Sequence, residues 1–183
     1  MKKIIAFLLL VLFFNVKSYS QTQDIKDLKT LLDKYTNYEK DKNNEIQRYS
    51  NLKLSVKDCK AMYETDETYT VYSDKEYTYV QPHKAYAFDW KNITYIKRIN
   101  SGTILLGFPG RLVNIESKTK DAEKAERSKT CFVEVYFKTY KQGAPDDDSV
   151  KAIELIKKIV KACGGKDIVL LGPLDKVTCE EED

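Results

Sequence analysis

The spacing of apolar residues changes along this chain, and each spacing predicts a different element. Residues 4–14, IIAFLLLVLFF, form an unbroken apolar run. Further on, Ile25, Leu28, Leu31, Leu32, Tyr35 and Tyr38 recur at steps of three and four, which is one face of a helix. Asp24 and Asp27 fall in its first turn, where carboxylates suit the positive end of the helix dipole. Beyond Tyr38 the stripe thins and KDKNNE breaks it, so residues 21–50 are expected to hold an N-terminal helical segment.

From Leu52 to Ser117 the period drops to two. Tyr69, Val71, Tyr77 and Tyr79 alternate with Thr70, Tyr72 and Thr78, and YSDKEY between them carries the turn residues Ser73 and Asp74, which predicts a hairpin. Pro82 and His83 interrupt a strand, KAYAFDW resumes it, and ITYIKRI, TILLGF and RLVNIES follow across short polar or glycine-containing turns. This regular spacing predicts a meander. Residues 117–130, SKTKDAEKAERSKT, have no large apolar side chain and are expected to be an exposed connection with at most a frayed helical turn around Ala122 and Ala125. CFVEVYFKTY alternates again, with Cys131, Val133, Val135 and Phe137 on one face. PDDDSVKAIELIKKIVKACGG then joins an acidic start, an apolar face of Val150, Ile153, Ile156, Ile159 and Val160, and a Gly164-Gly165 stop, which together predict a helix.

The first run matters for where the protein goes. Lys2 and Lys3 precede it, Ser18 and Ser20 follow it, and its length is well short of the roughly 20 apolar residues that span a bilayer, so residues 1–20 are expected to be a secretory signal peptide cleaved after Ser20. No integral membrane segment is expected after cleavage, and no cysteine stands near that point to take a lipid. The full chain of 183 residues carries 31 Lys+Arg against 28 Asp+Glu; Lys2, Lys3 and Lys17 leave with the signal and no acid does, so the mature chain balances at 28 against 28. A neutral chain with scattered charges lacks the clustered basic footprint of a nucleic-acid binder.

Cys59, Cys131, Cys163 and Cys179 all lie in the mature part and are expected to form disulfides in an oxidising compartment. With His83 as the sole imidazole, no metal site and no cofactor are expected. G-x-S-x-G, H-E-x-x-H and phosphate-loop patterns are absent. His83 is read as a turn or surface residue, Asp146 to Asp148 as helix-start charge, and Asp148 or Ser149 as the helix cap in preference to an O-glycosylation acceptor. The chain is therefore read as a protein that is not an enzyme.

In AYAFDWKNITYIKRI, residues 85–99, alternation puts Tyr86, Phe88 and Trp90 on one face and Ala85, Ala87 and Asp89 on the other, as a wall with a packed side requires. Tyrosines crowd this third of the chain, and tyrosine suits a place where an apolar body meets a wet partner. Tyr72, Tyr77, Tyr79, Tyr86 and Trp90 are the candidate binding residues.

Short antiparallel strands closed by one amphipathic helix resemble a pleckstrin-homology-like barrel. FDWKNITYI is similar to the strand-turn-strand of bacterial PH-like and GRAM-like modules, and DSVKAIELIKKIVKACGG to the helix that plugs such barrels. The resemblance covers roughly residues 52–165 and implies an α+β fold of this organisation: signal peptide 1–20, helical segment 21–50, barrel with its C-terminal helix 51–165, and tail 166–183. Phosphoinositide-binding members carry basic clusters in the first hairpin, whereas this chain has the acidic ETDETYTVYSDKEY, so that ligand is not implied. In such a barrel Cys59 in the first strand would meet Cys131 in the last, with Cys163 bridging to Cys179; a helix end lying beside the first strand would instead pair Cys163 with Cys59. The resemblance implies an exported bacterial binding module, periplasmic or secreted, that recognises a protein or an envelope component through the barrel surface or the N-terminal helix. The alternative is a carrier of a small apolar ligand inside an aromatic-lined barrel.

Overall fold

The computed structural model describes residues 23–33, 37–40, 44–55, 59–72, 76–80, 82–100, 103–119, 124–136, 147–177 and 179. The expected signal peptide lies outside them. The fold is α+β, with two helices among the described residues and two mainly antiparallel sheets that do not close on each other.

Helix α1 covers 23–33. It is followed by β1 (Asn37–Lys40), β2 (Asn44–Ser55), β3 (Lys60–Tyr72), β4 (Glu76–Val80) and β5 (His83–Asp89). After a 3-10 turn at Trp90–Asn92 come β6 (Tyr95–Asn100), β7 (Thr103–Gly107), β8 (Val113–Lys118), β9 (Glu126–Thr130) and β10 (Phe132–Tyr136). Helix α2 (Asp147–Ala162) and β11 (Val169–Leu171) complete the order.

The larger sheet has the order β1-β2-β3-β5-β8-β9 with β4 also on β3, and the smaller one β10-β7-β6-β11. Strand β3 is long enough to serve two partners on one edge: Lys60–Thr65 pairs with β5 and Thr68–Tyr72 with β4. The break between those partners falls at Pro82, which has no N–H to continue a ladder. His83 already belongs to β5.

Several expectations need correction. The helical segment is shorter than 21–50: α1 ends at residue 33, Tyr38 lies in β1, and β2 begins at Asn44. Antiparallel pairing of β2 with β3 over twelve register positions supplies the backbone hydrogen bonds that a thinning helical stripe could not secure. The strands do not form one meander. The 3-10 turn takes the chain out of the larger sheet, and the β6–β7 hairpin founds the smaller one. Polar residues within the expected connection 117–130 form β9, whose pairing with β8 depends on backbone groups that side-chain periodicity does not register. On α2, Val150 is 47% exposed, while Ala152 and Leu155 join Ile153, Ile156, Ile159 and Val160 in the core.

Helix α2 begins at Asp147, which puts Asp148 and Ser149 in its first turn, and Ser149 is fully buried. At the other end Gly165 N–H donates to the Val160 carbonyl at 2.9 Å and Gly164 N–H to that of Lys161 at 3.1 Å, the closing pattern of a left-handed cap. Gly164 has φ +79°, which glycine adopts without strain.

The core lies between the sheets and under both helices. Ala61, Tyr63, Phe88 and Val113 face it from the larger sheet, and Ile96, Ile104, Leu106, Val133 and Val135 from the smaller. Ile25, Leu28, Leu31 and Leu32 of α1 are all buried in it. Phe88 meets Trp90 edge-on at 5.4 Å between ring centres and Phe108 at 5.3 Å. The space among Leu28, Tyr63, Trp90, Leu106 and Ile156 amounts to about 10 Å³, at or below what a single water needs.

Two disulfides are present, and the first pairing expected above is overturned in favour of the second. Cys59 bonds to Cys163 (Cα–Cα 5.6 Å) and Cys131 to Cys179 (Cα–Cα 5.5 Å). β3 and β10 belong to different sheets, so Cys59 is not the neighbour of Cys131 that a closed barrel would make it. The end of α2 instead lies beside the start of β3, where Trp90 N–H donates to the Cys59 carbonyl at 2.9 Å. The C-terminal segment pairs β11 in parallel with β6. It then turns at Gly172, whose N–H donates to Asp175 Oδ2 at 2.6 Å, and continues to Cys131 past Lys97, which donates to the Asp175 carbonyl.

Candidate functional site

A concavity lies on the outer face of the larger sheet, and the register builds it row by row. Met62, Ala87, Asn114 and Lys129 stand opposite one another on β3, β5, β8 and β9; Glu64, Ala85, Glu116 and Arg127 form the next row. These positions have the opposite parity to Ala61, Tyr63, Phe88 and Val113, so strand pleating turns them away from the core. Two alanines in the central strand leave a trough between taller neighbours. It encloses about 700 Å³, within the size range of small-molecule sites.

Its chemistry is asymmetric. Met62, 40% exposed, adds apolar surface on the β3 side. Along β8 and β9 stand Lys118, Arg127 and Lys129. Arg127 Nε is 3.6 Å from Glu116 Oε2, an exposed pair of small energetic weight. Among the described residues Lys118 and Lys129 make no ion pair. At one end His83 Nδ1 lies 3.7 Å from Asp66 Oδ2.

A second polar feature joins the two sheets. Tyr136 N–H donates to the buried Tyr63 hydroxyl at 3.3 Å, and the Tyr136 hydroxyl donates to Glu134 Oε2 at 2.8 Å. Tyr86, with its ring centre 6.3 Å from that of Tyr63, has its phenol pushed above the ordinary 10, first by burial and then by the Glu134 charge. A raised pKa favours the neutral phenol. Its contribution to stability is complete below pH 10 and is lost as pH rises through the higher folded value.

Two of the five aromatic candidates, Trp90 and Tyr86, pack on the core. Trp90 is 2% exposed in the core, and Tyr86 is half-buried at the seam between sheets. Tyr72, Tyr77 and Tyr79 occupy register positions opposite Glu76, Val71 and Tyr69 on the β3–β4 hairpin. The alternation read in residues 85–90 does hold, with Tyr86, Phe88 and Trp90 toward the core. The functional interest passes to the other face, to Ala85 and Ala87. Their signal was present as small residues alternating with large aromatics, a pattern that gives a strand one filled side and one hollow side.

No cluster of His, Cys, Asp and Glu among the described residues could hold a metal ion, and no helix there is long and apolar enough to cross a membrane. Comparison with family models, with curated proteins and with solved structures finds no match for this chain.

Proposed function

We propose that this protein is an exported, non-catalytic binding module of PH-like architecture that recognises a protein or envelope component through the trough over Ala85 and Ala87. The observation that carries the reading is the contrast between interior and exterior. Among the described residues the space between Leu28, Tyr63, Trp90 and Ile156 amounts to about 10 Å³, whereas the outer trough offers about 700 Å³ with an apolar floor and, on one side, Lys118 and Lys129, which make no ion pair there. This favours surface recognition over carriage of a ligand inside the fold. The PH-like assignment draws support from antiparallel strands followed by an amphipathic helix packed on the core, and export from the two disulfides and the leader pattern in residues 1–20.

The test is to fill the trough. Tryptophan at both 85 and 87 occupies it from an outward-facing position and leaves the buried residues in place. Wild-type and A85W/A87W proteins, each immobilised, are offered a mildly solubilised envelope fraction, and retained species are quantified by mass spectrometry. The expected result is a species kept by the wild type and lost by the variant at unchanged thermal midpoint. A species retained equally by both contradicts the trough as the recognition surface.

A further inference from the structure

Strand β9 carries two cations of the trough and also ends the larger sheet. Among the described residues β8 is its one strand partner. Every second residue between Glu126 and Thr130 therefore turns its N–H and C=O away from the sheet, where a further chain can pair with them. Pleating puts Arg127 and Lys129 in the rows of the trough face, with Ser128 between them on the opposite parity. The Arg127 side chain is 83% exposed, and Lys129 is exposed as well.

The charges on this edge select what fits it. Arg127 already faces Glu116 across the strand pair, Nε to Oε2 3.6 Å, whereas Lys129 faces the neutral Asn114 and makes no ion pair among the described residues. A second copy of this chain fits poorly. Any self-pairing that continues the trough face across the edge sets Arg127 and Lys129 against cations of the same two positions, and like charges directly opposite are destabilising. A strand with acids at alternate positions does the reverse, because its acidic side chains repeat every two residues, about 6.6–6.8 Å, as Arg127 and Lys129 do. The charges that discourage indiscriminate pairing thus admit a complementary strand.

We infer that β9 is a docking edge for an extended acidic segment of another protein, which joins the larger sheet as an added strand with alternate carboxylates beside Arg127 and Lys129. Backbone pairing supplies the attachment and the two cations select the sequence. The acid beside Lys129 contributes more, since Arg127 is partly neutralised from within the sheet. This names the partner of the trough as a protein, and it rests on the trough reading only in that the added strand becomes the trough's new rim.

The probe is the peptide acetyl-TEVEVET-amide, titrated against the oxidised protein and followed by the NMR shifts of its backbone amides. The expected result is saturable shifts centred on β9 and binding about tenfold weaker in R127E/K129E, with K129E alone costing more than R127E. Two methylated peptides then test strand addition itself. Methyl groups on the glutamate amides block one long edge of the peptide and methyl groups on the valine amides block the other, so one form should bind and the other should not. Equal binding of the two forms, unchanged affinity in R127E/K129E, or no shift in β9 with peptide in the millimolar range overturns the inference. The A85W/A87W protein separates edge from trough: it fills the trough and leaves the edge of β9 as it is, so it should bind the peptide as the wild type does. Binding lost in A85W/A87W and kept in R127E/K129E would put the peptide in the trough and overturn docking at the edge.

Discussion

Replacing Cys59 and Cys163 together by alanine is expected to lower the unfolding free energy by about 4–5 kcal/mol. The bond spans 104 residues, and the chain-entropy model assigns a closed loop of about 100 residues close to 4.7 kcal/mol. The loop encloses most strands of both sheets and all of α2. Breaking it therefore frees the denatured chain at the level of the whole fold. The Cys131–Cys179 bond spans 48 residues, and its loss is expected to cost less than the roughly 4 kcal/mol of the same model, because the segment after β11 can detach while the sheets persist. Denaturant titration followed by fluorescence measures both. Trp90 is the only tryptophan and is buried between the helices and sheets, so it reports on the core. A C59A/C163A protein within 1 kcal/mol of the wild type, or one less affected than C131A/C179A, contradicts this ranking.

A comparably large effect is expected in α1. Leu28 and Leu32 are each 1% exposed and line the same tight space as Tyr63, Trp90 and Ile156. Truncating a buried leucine to alanine costs about 2–5 kcal/mol. The two positions are neighbours and will not add fully, so L28A/L32A is expected to lose about 4–8 kcal/mol. This approaches the whole stability of a typical domain at about 5–15 kcal/mol. The same titration checks it. A loss below about 1 kcal/mol would mean that this face is not integral to the core and is free to meet a partner.

The parts of this architecture that were legible in the sequence are those where side-chain periodicity and core packing agree. The α1 stripe from Ile25 to Leu32, the inward set of Cys131, Val133 and Val135, and α2 with its glycine stop all follow from apolar spacing, since each must bury one face. What escaped is governed by backbone pairing. Strand β9 is almost wholly polar because it is a sheet edge, where charge discourages pairing with another chain. The switch between sheets at Trp90–Asn92 depends on a short turn, and no period marks it. Disulfide connectivity depended in turn on that switch, since it decides which strands are neighbours. The trough was hardest to foresee. Aromatic residues draw attention as binding groups, yet here Phe88 and Trp90 fill the core and the alanines between the aromatics make the hollow.

The most direct measurement of the central claim places a photoreactive benzoylphenylalanine at position 87 and, as a control, at Lys158, which is exposed on α2. Each protein is illuminated in the native envelope environment and its adducts are identified by mass spectrometry. The account predicts a defined adduct from position 87 that is absent from position 158 and suppressed by excess wild-type protein. Adducts of the same identity and yield from both positions, or none from position 87 while the photoreactive group is shown to be active, would contradict it.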